Sequence, residues 1–107
     1  MFEHLADQVV EFEDIEARLP DIYSAGDQEA ARDANRRYAE LKPLVDAYRD
    51  LVRVEREIID ASELLDQEKD SEMREFFATE IREKETDRTD IESLLRELLI
   101  PRDPDDG

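Results

Sequence analysis

From Tyr38 to Leu65 an apolar side chain returns every three or four residues, a period over about four heptads that only a long α-helix can lay along one side. Tyr38, Leu41, Leu44, Val45, Tyr48, Leu51, Val52, Ile58, Ile59 and Leu65 carry this stripe, interrupted by Glu55 and Ser62. One helix cannot bury its own stripe, so partners must come from elsewhere. Leu5, Val9, Phe12, Ile15 and Leu19 form a second stripe. Met73, Phe76, Phe77 and Ile81, then Ile91, Leu94, Leu95, Leu98 and Leu99, form a third. The predicted fold is all-α: an elongated antiparallel three-helix assembly with a long, kinked second helix and a two-helix arm.

Two glycines and four prolines punctuate the chain, and they place most of the helix ends. The first helix is expected over about Phe2 to Leu19. Pro20 lacks a donor and clashes with the preceding turn, which makes Pro20 to Gly26 a connection. Asp27 suits the N-cap of the second helix, with Glu29 near the positive end of the dipole. Pro43 lies inside the second stripe, and an interior proline costs a helix about 3 kcal/mol. A break there would want a capping side chain just before it, and Lys42 cannot accept a hydrogen bond. The second helix is therefore read as continuous to about Asp66. The polar stretch 67–70 is a tight turn, with Asp70 or Ser71 capping a third helix that Pro101 ends.

These spans come to roughly 27, 58 and 43 Å, so the second helix is longer than either partner. A tight turn at 67–70 pairs positions summing to about 137. Leu95 then falls near Lys42 and Phe77 near Asp60. Pairs between the first two helices sum to about 46, bringing Leu5 toward Leu41 and Val9 toward Tyr38. The expected hub is Leu5, Val9, Phe12, Tyr38, Leu41, Val45, Tyr48, Leu94, Leu95 and Leu98. Residues 82–90 contain no large apolar side chain and face 47–55, where Arg49, Asp50, Arg53 and Glu55 offer charge pairs. The arm's tip carries Ile58, Ile59, Leu64, Leu65, Met73, Phe76, Phe77 and Ile81, and a helix pair alone leaves part of that apolar surface exposed.

Charge narrows the function. The 107 residues hold 32 Asp or Glu against 15 Lys or Arg, a formal charge of -17. Broad binding to a phosphate backbone needs clustered cations, as does an anionic membrane surface, so both are disfavoured. No apolar run approaches the ~20 residues of a membrane span, and the acidic start is unlike a signal peptide, which leaves the cytoplasm as the expected compartment. The chain has no cysteine. That excludes disulfides, a thiol nucleophile and thiolate metal sites.

His4 is the only imidazole, too few for a multi-His metal site or a paired Glu-x-x-His arrangement, and it is read as a solvated residue near the first turn. No nucleophile turn or glycine-rich phosphate cradle is present. The segment Asp103 to Gly107 is too short for a calcium loop. Glu80 with Lys84, and Glu92 with Arg96, have the spacing of ordinary helix-face pairs. No catalytic, cofactor-binding or metal-binding residue is assigned. Phe76 and Phe77 are either core or, together with Met73, a partner contact at the tip.

Three segments resemble bacterial class I peptide chain release factors. Arg36-Arg37-Tyr38-Ala39-Glu40-Leu41-Lys42-Pro43-Leu44-Val45-Asp46-Ala47-Tyr48 is similar to part of their amino-terminal domain. Ala61-Ser62-Glu63-Leu64-Leu65, followed by Ser71-Glu72-Met73-Arg74-Glu75, resembles the turn into that domain's third helix. The most specific segment is Leu94-Leu95-Arg96-Glu97-Leu98-Leu99-Ile100-Pro101-Arg102-Asp103-Pro104-Asp105-Asp106, similar to the close of the domain in the branch that reads UAA and UAG.

The resemblance covers about residues 27–107 and implies a helical docking domain over 1–100, with 101–107 linking to downstream domains. It implies docking on the ribosome near the protein at the base of the large-subunit stalk, and influence on the class II release factor GTPase. The family's Gly-Gly-Gln and codon-reading tripeptides do not occur here, so no catalytic or decoding role carries over, and no cofactor is implied. The competing reading is a free-standing helical adaptor or coiled-coil dimer that uses the same stripes.

Overall fold

The computed structural model describes Phe2 and residues 4–100. Among them are three helices and no strand: α1 (Leu5–Ser24), α2 (Gln28–Gln67) and α3 (Ser71–Leu99). The linker expected at 101–107 lies outside the described residues. Two compact units divide between Asp46 and Ala47, inside α2.

In the first unit α1 packs antiparallel to the opening turns of α2. Phe12, Leu41 and Val45 form its buried cluster, with Val9, Ile15 and Tyr38 against it. The rings of Phe12 and Tyr38 stack at 4.5 Å between centroids and 20° between planes. Such a pair adds about 0.5 to 1.5 kcal/mol to the area it buries. Arg37 grips Glu11 from the flank with two parallel bonds, Nε to Oε2 at 2.6 Å and Nη2 to Oε1 at 2.9 Å.

Here the expected helix boundary is overturned. α1 begins at Leu5 rather than Phe2, and it runs through Pro20 to Ser24 instead of stopping at Leu19. Pro20 cannot donate to the carbonyl of Glu16, but both residues are exposed, so water can take the freed carbonyl. The longer helix shifts the pairing: Phe12, not Val9, stacks on Tyr38. α1 ends where Gly26 adopts φ +73°, a left-handed conformation that glycine enters without a Cβ penalty. Asp27 then caps α2 as expected, its Oδ1 accepting from the Ala30 amide at 3.1 Å.

α2 continues through Pro43 as expected. The carbonyl that loses its donor belongs to Ala39, which is exposed, as is Pro43. In the second unit α2 and α3 are antiparallel. Glu57 meets Lys84, and the Leu65 carbonyl meets Arg74, so paired positions sum to about 140, close to the expected register. Leu51, Val54, Ala61 and Leu95 are buried in this unit.

The expected stripe and hub each need a correction. Val52 and Ile59, both read as stripe residues, are about half exposed, as the tip position of Ile59 allows, while Val54, absent from the predicted stripe, is buried. An inward line through 51, 54, 58, 61 and 65 keeps a heptad period, and Val52 and Ile59 lie off it. Leu94 and Leu98, placed in the hub, are exposed, and of that trio only Leu95 is fully buried.

Candidate partner-contact surface

The second unit ends at a short connection whose own polar groups are closely accounted for. Asp70 caps α3, its Oδ2 accepting from the Met73 amide at 3.1 Å. Glu68 Oε1 accepts from the amides of Lys69 and Asp70 at 3.2 and 3.1 Å. Arg74 Nη1 donates to the carbonyls of Leu65 and Glu68, both at 2.8 Å, and so satisfies acceptors that the end of α2 leaves open. Together the cap, the Glu68 carboxylate and the Arg74 guanidinium hold the turn in one shape.

On this support sit the three candidate residues. Met73 and Phe76 are 41% and 54% exposed, and Phe77 is half-buried. The two phenyl rings meet edge to face, with centroids 5.7 Å apart and planes at 67°. Phe77 falls on the inward line of α3 that continues through Ile81, so the rings divide the two readings of this pair between them. Phe77 takes the packing role and Phe76 stays in solvent. The register sets Leu64, 51% exposed, level with Phe76. Leu64 therefore belongs with Met73 and Phe76, although the sequence places it at the tip without making it a contact. Its signal is the short turn, which brings the last exposed apolar residue of α2 level with the first exposed apolar residues of α3.

Carboxylates outnumber cations in the chain that carries these apolar groups, although Glu68 and Asp70 are directed onto backbone amides and Asp60 pairs with Arg56 at 3.3 Å. Between positions 60 and 80 stand Asp60, Glu63, Asp66, Glu68, Asp70, Glu72, Glu75 and Glu80, against Lys69 and Arg74. Arg74 is directed onto backbone carbonyls. An exposed apolar group in a carboxylate-rich segment suits a partner that offers apolar side chains among cations.

Farther from the turn the two helices are joined through charge. Lys84 Nζ donates to Glu57 Oε2 at 2.6 Å, and Arg53 Nη1 donates to Glu57 Oε1 at 3.0 Å. Hydrogen bonds from Lys84 first and Arg53 second hold the Glu57 carboxyl below its ordinary pKa, and Glu57 raises the Lys84 ammonium. The sequence places charge pairs in this middle but assigns Lys84 to Glu80, a neighbour on its own helix. The structure gives Lys84 its hydrogen bond across the pair, and Glu80 acts on it through space. Arg88 approaches Glu92 at 3.9 Å.

Among the described residues no group of His, Asp or Glu is placed to hold a metal ion, and no helix is long and apolar enough to cross a membrane. His4 is exposed and offers no side-chain cap to α1. Shallow depressions of about 370 and 320 Å³ beside the α1–α2 connection are lined by residues such as Ile22, Tyr23 and Arg32, or Arg18 and Ala30.

Comparison with known proteins gives a consistent answer. The model of the PCRF domain family matches residues 9–107. Peptide chain release factor 1 of Streptomyces avermitilis is 38% identical over 99% of this chain and 28% of its own length. That of Syntrophobacter fumaroxidans is 36% identical over 99% of the chain and 30% of its own length. That of Renibacterium salmoninarum is 38% identical over the whole chain and 28% of its own length. The chain thus spans less than a third of these relatives. No solved structure matches it significantly.

Proposed function

The chain belongs to the PCRF domain family, and from that membership we propose that it is the noncatalytic docking domain of a peptide chain release factor, acting in translation termination at UAA and UAG codons in the cytoplasm. Residues 1–100 form the docking part and 101–107 lead toward further domains. The domain is held by the ribosome near the protein at the base of the large-subunit stalk. Through that contact it influences the class II release factor GTPase.

The observation that carries this reading is the exposed apolar group at the α2–α3 turn, with Met73 and Phe76 exposed in a carboxylate-rich segment. Ribosomal proteins that bind RNA are rich in cations, so that segment attracts a protein neighbour and repels bare phosphate. Phe77 supports the contact from beneath.

A photoreactive amino acid at position 76, incubated with large ribosomal subunits, should cross-link to stalk-base protein. Replacing Met73 and Phe76 together by Ala should weaken association at least about tenfold, as loss of an apolar anchor does. Cross-links solely between copies of the chain, with a dimer mass in solution, would instead establish a coiled-coil dimer. No stalk-base product from intact subunits would remove the docking assignment.

A further inference from the structure

Along α3 the inward positions run Phe77, Ile81, Lys84, Arg88, Ile91 and Leu95, alternating by four and three as a helix-pair seam does. The first two and the last two are apolar, whereas the two central positions are charged. Lys84 is drawn into the pair, its side chain only 26% exposed and bonded to Glu57 across the seam. The register sets Leu51 and Val54 level with the turns around 86 and 89. α2 therefore keeps buried apolar residues where α3 offers none of comparable size.

The same turns of α3 carry a second feature. Thr86 Oγ1 donates to the Arg82 carbonyl at 3.1 Å, and Thr89 Oγ1 donates to the Glu85 carbonyl at 3.0 Å. Both carbonyls already serve the helix ladder, and hydroxyl bonds back to the i−4 carbonyl weaken and bend a helix. A shallow groove of about 440 Å³ follows Arg82, Glu85, Thr86, Thr89 and Asp90.

We propose that residues 82–90 are a flex point in α3, where the helix opens and bends locally while the apolar segments on either side stay packed on α2. Residues 82–90 contribute no large apolar side chain of their own to the pair, so little apolar area is lost when this stretch lifts, and here that lack coincides with a doubly perturbed backbone. The ion pair between Glu57 and Lys84 lets this stretch close again in its original pairing, since the carboxylate marks one position for the ammonium. The device lets the apolar turn at Met73 and Phe76 change direction without unfolding its support. It does not depend on what that turn binds.

Hydrogen exchange followed by mass spectrometry on the intact chain tests this. Amides of 83–90 should exchange about tenfold faster than those of 78–81 and 91–95, as locally opening segments do. Replacing Lys84 and Arg88 together by Leu should slow 83–90 by a similar factor and change the flanks much less. Thr86→Ala with Thr89→Ala gives a milder version that retains the charged seam, and it should slow the same amides in part. Protection of 83–90 equal to both flanks in the unaltered chain would overturn the proposal. So would a uniform slowing of all of α3 in the Leu variant, because that signals global stabilisation rather than loss of a local opening.

Discussion

Each helix pair in this protein is crossed by a short ion pair, yet the two pairs use it differently. Between α1 and α2 the contact of Arg37 with Glu11 flanks a stacked aromatic pair and a closed apolar cluster. Between α2 and α3 the contact of Lys84 with Glu57 occupies the seam, where a core residue would stand. In the first, burial supplies the stability and charge aligns the helices. In the second, α3 contributes charge in place of apolar side chains over about two turns opposite the buried Leu51 and Val54, and Met73, Phe76 and Leu64 stand exposed near the turn.

The sharpest way to break this contrast is to remove the first pair's aromatic anchor. Phe12→Ala should destabilise by about 3 to 5 kcal/mol, the range for emptying a large buried aromatic site. A denaturant titration followed by circular dichroism measures it. A loss under about 1 kcal/mol would mean that the Phe12 cluster is not what holds α1. Leu95→Ala should cost about 2 to 5 kcal/mol, because Leu95 is fully buried and its cavity cannot fill from solvent. Leu94→Ala, one position away but exposed, should cost within about 0.5 kcal/mol. Equal effects of these two substitutions would contradict the orientation of α3.

Particular residues show why part of this is readable in the sequence. Asp27 and Asp70 are legible because an N-cap is a local device, needing a short acceptor and the turn that follows it. Pro20 misleads and Pro43 does not, although the two sites pose one question. A helix ends at proline when something before it can cap a new start, and Leu19 is no better a cap than Lys42. What the two sites share is an exposed helix face, with Glu16, Pro20, Ala39 and Pro43 all exposed, and that depends on which side of the helix the partner covers. Val52 and Val54 are hard to separate for a related reason: both are apolar, and only the position of α3 selects the heptad line that points inward. The pairing of Lys84 with Glu57 needs the register to within a residue, whereas the turn length alone supplies it only to within a few. Met73 and Phe76 are legible as tip residues because the turn can be placed. That Phe77 turns inward and Phe76 outward follows from the seam.

The second pair's turn offers a smaller test. Asp70→Ala removes the acceptor for the Met73 amide and should cost about 1 kcal/mol, as lost N-caps generally do. Asp70→Asn keeps an acceptor and should recover most of it. If both lose the same amount, charge at the positive end of the α3 dipole matters more than the hydrogen bond.

The smallest expected effect separates the two ion pairs' surroundings most finely. The Glu11 carboxyl is held below its ordinary pKa by its hydrogen bonds from Arg37, an effect that outweighs its partial burial. A lowered folded-state pKa means that the contribution is present above the unfolded carboxylate value of about 4.3 and is lost as pH falls through the lower folded value. Both side chains remain more than 40% exposed, so solvent screening keeps the pair to about 0.2 to 1 kcal/mol. Protonation also relieves the self-repulsion of a chain carrying a net -17, so total stability against pH mixes two opposing trends. Comparison with Glu11→Gln isolates the pair. The difference between parent and variant should be constant from neutral pH down to about 5, shrink below the ordinary carboxylate range and vanish in stronger acid. At neutral pH, raising salt to about 1 M should reduce that difference, since an exposed pair is screened within a few ångströms. A difference that persists unchanged through acid and salt would show that the amide side chain disturbs packing around Phe12, and would place Arg37 with the apolar cluster rather than on its flank.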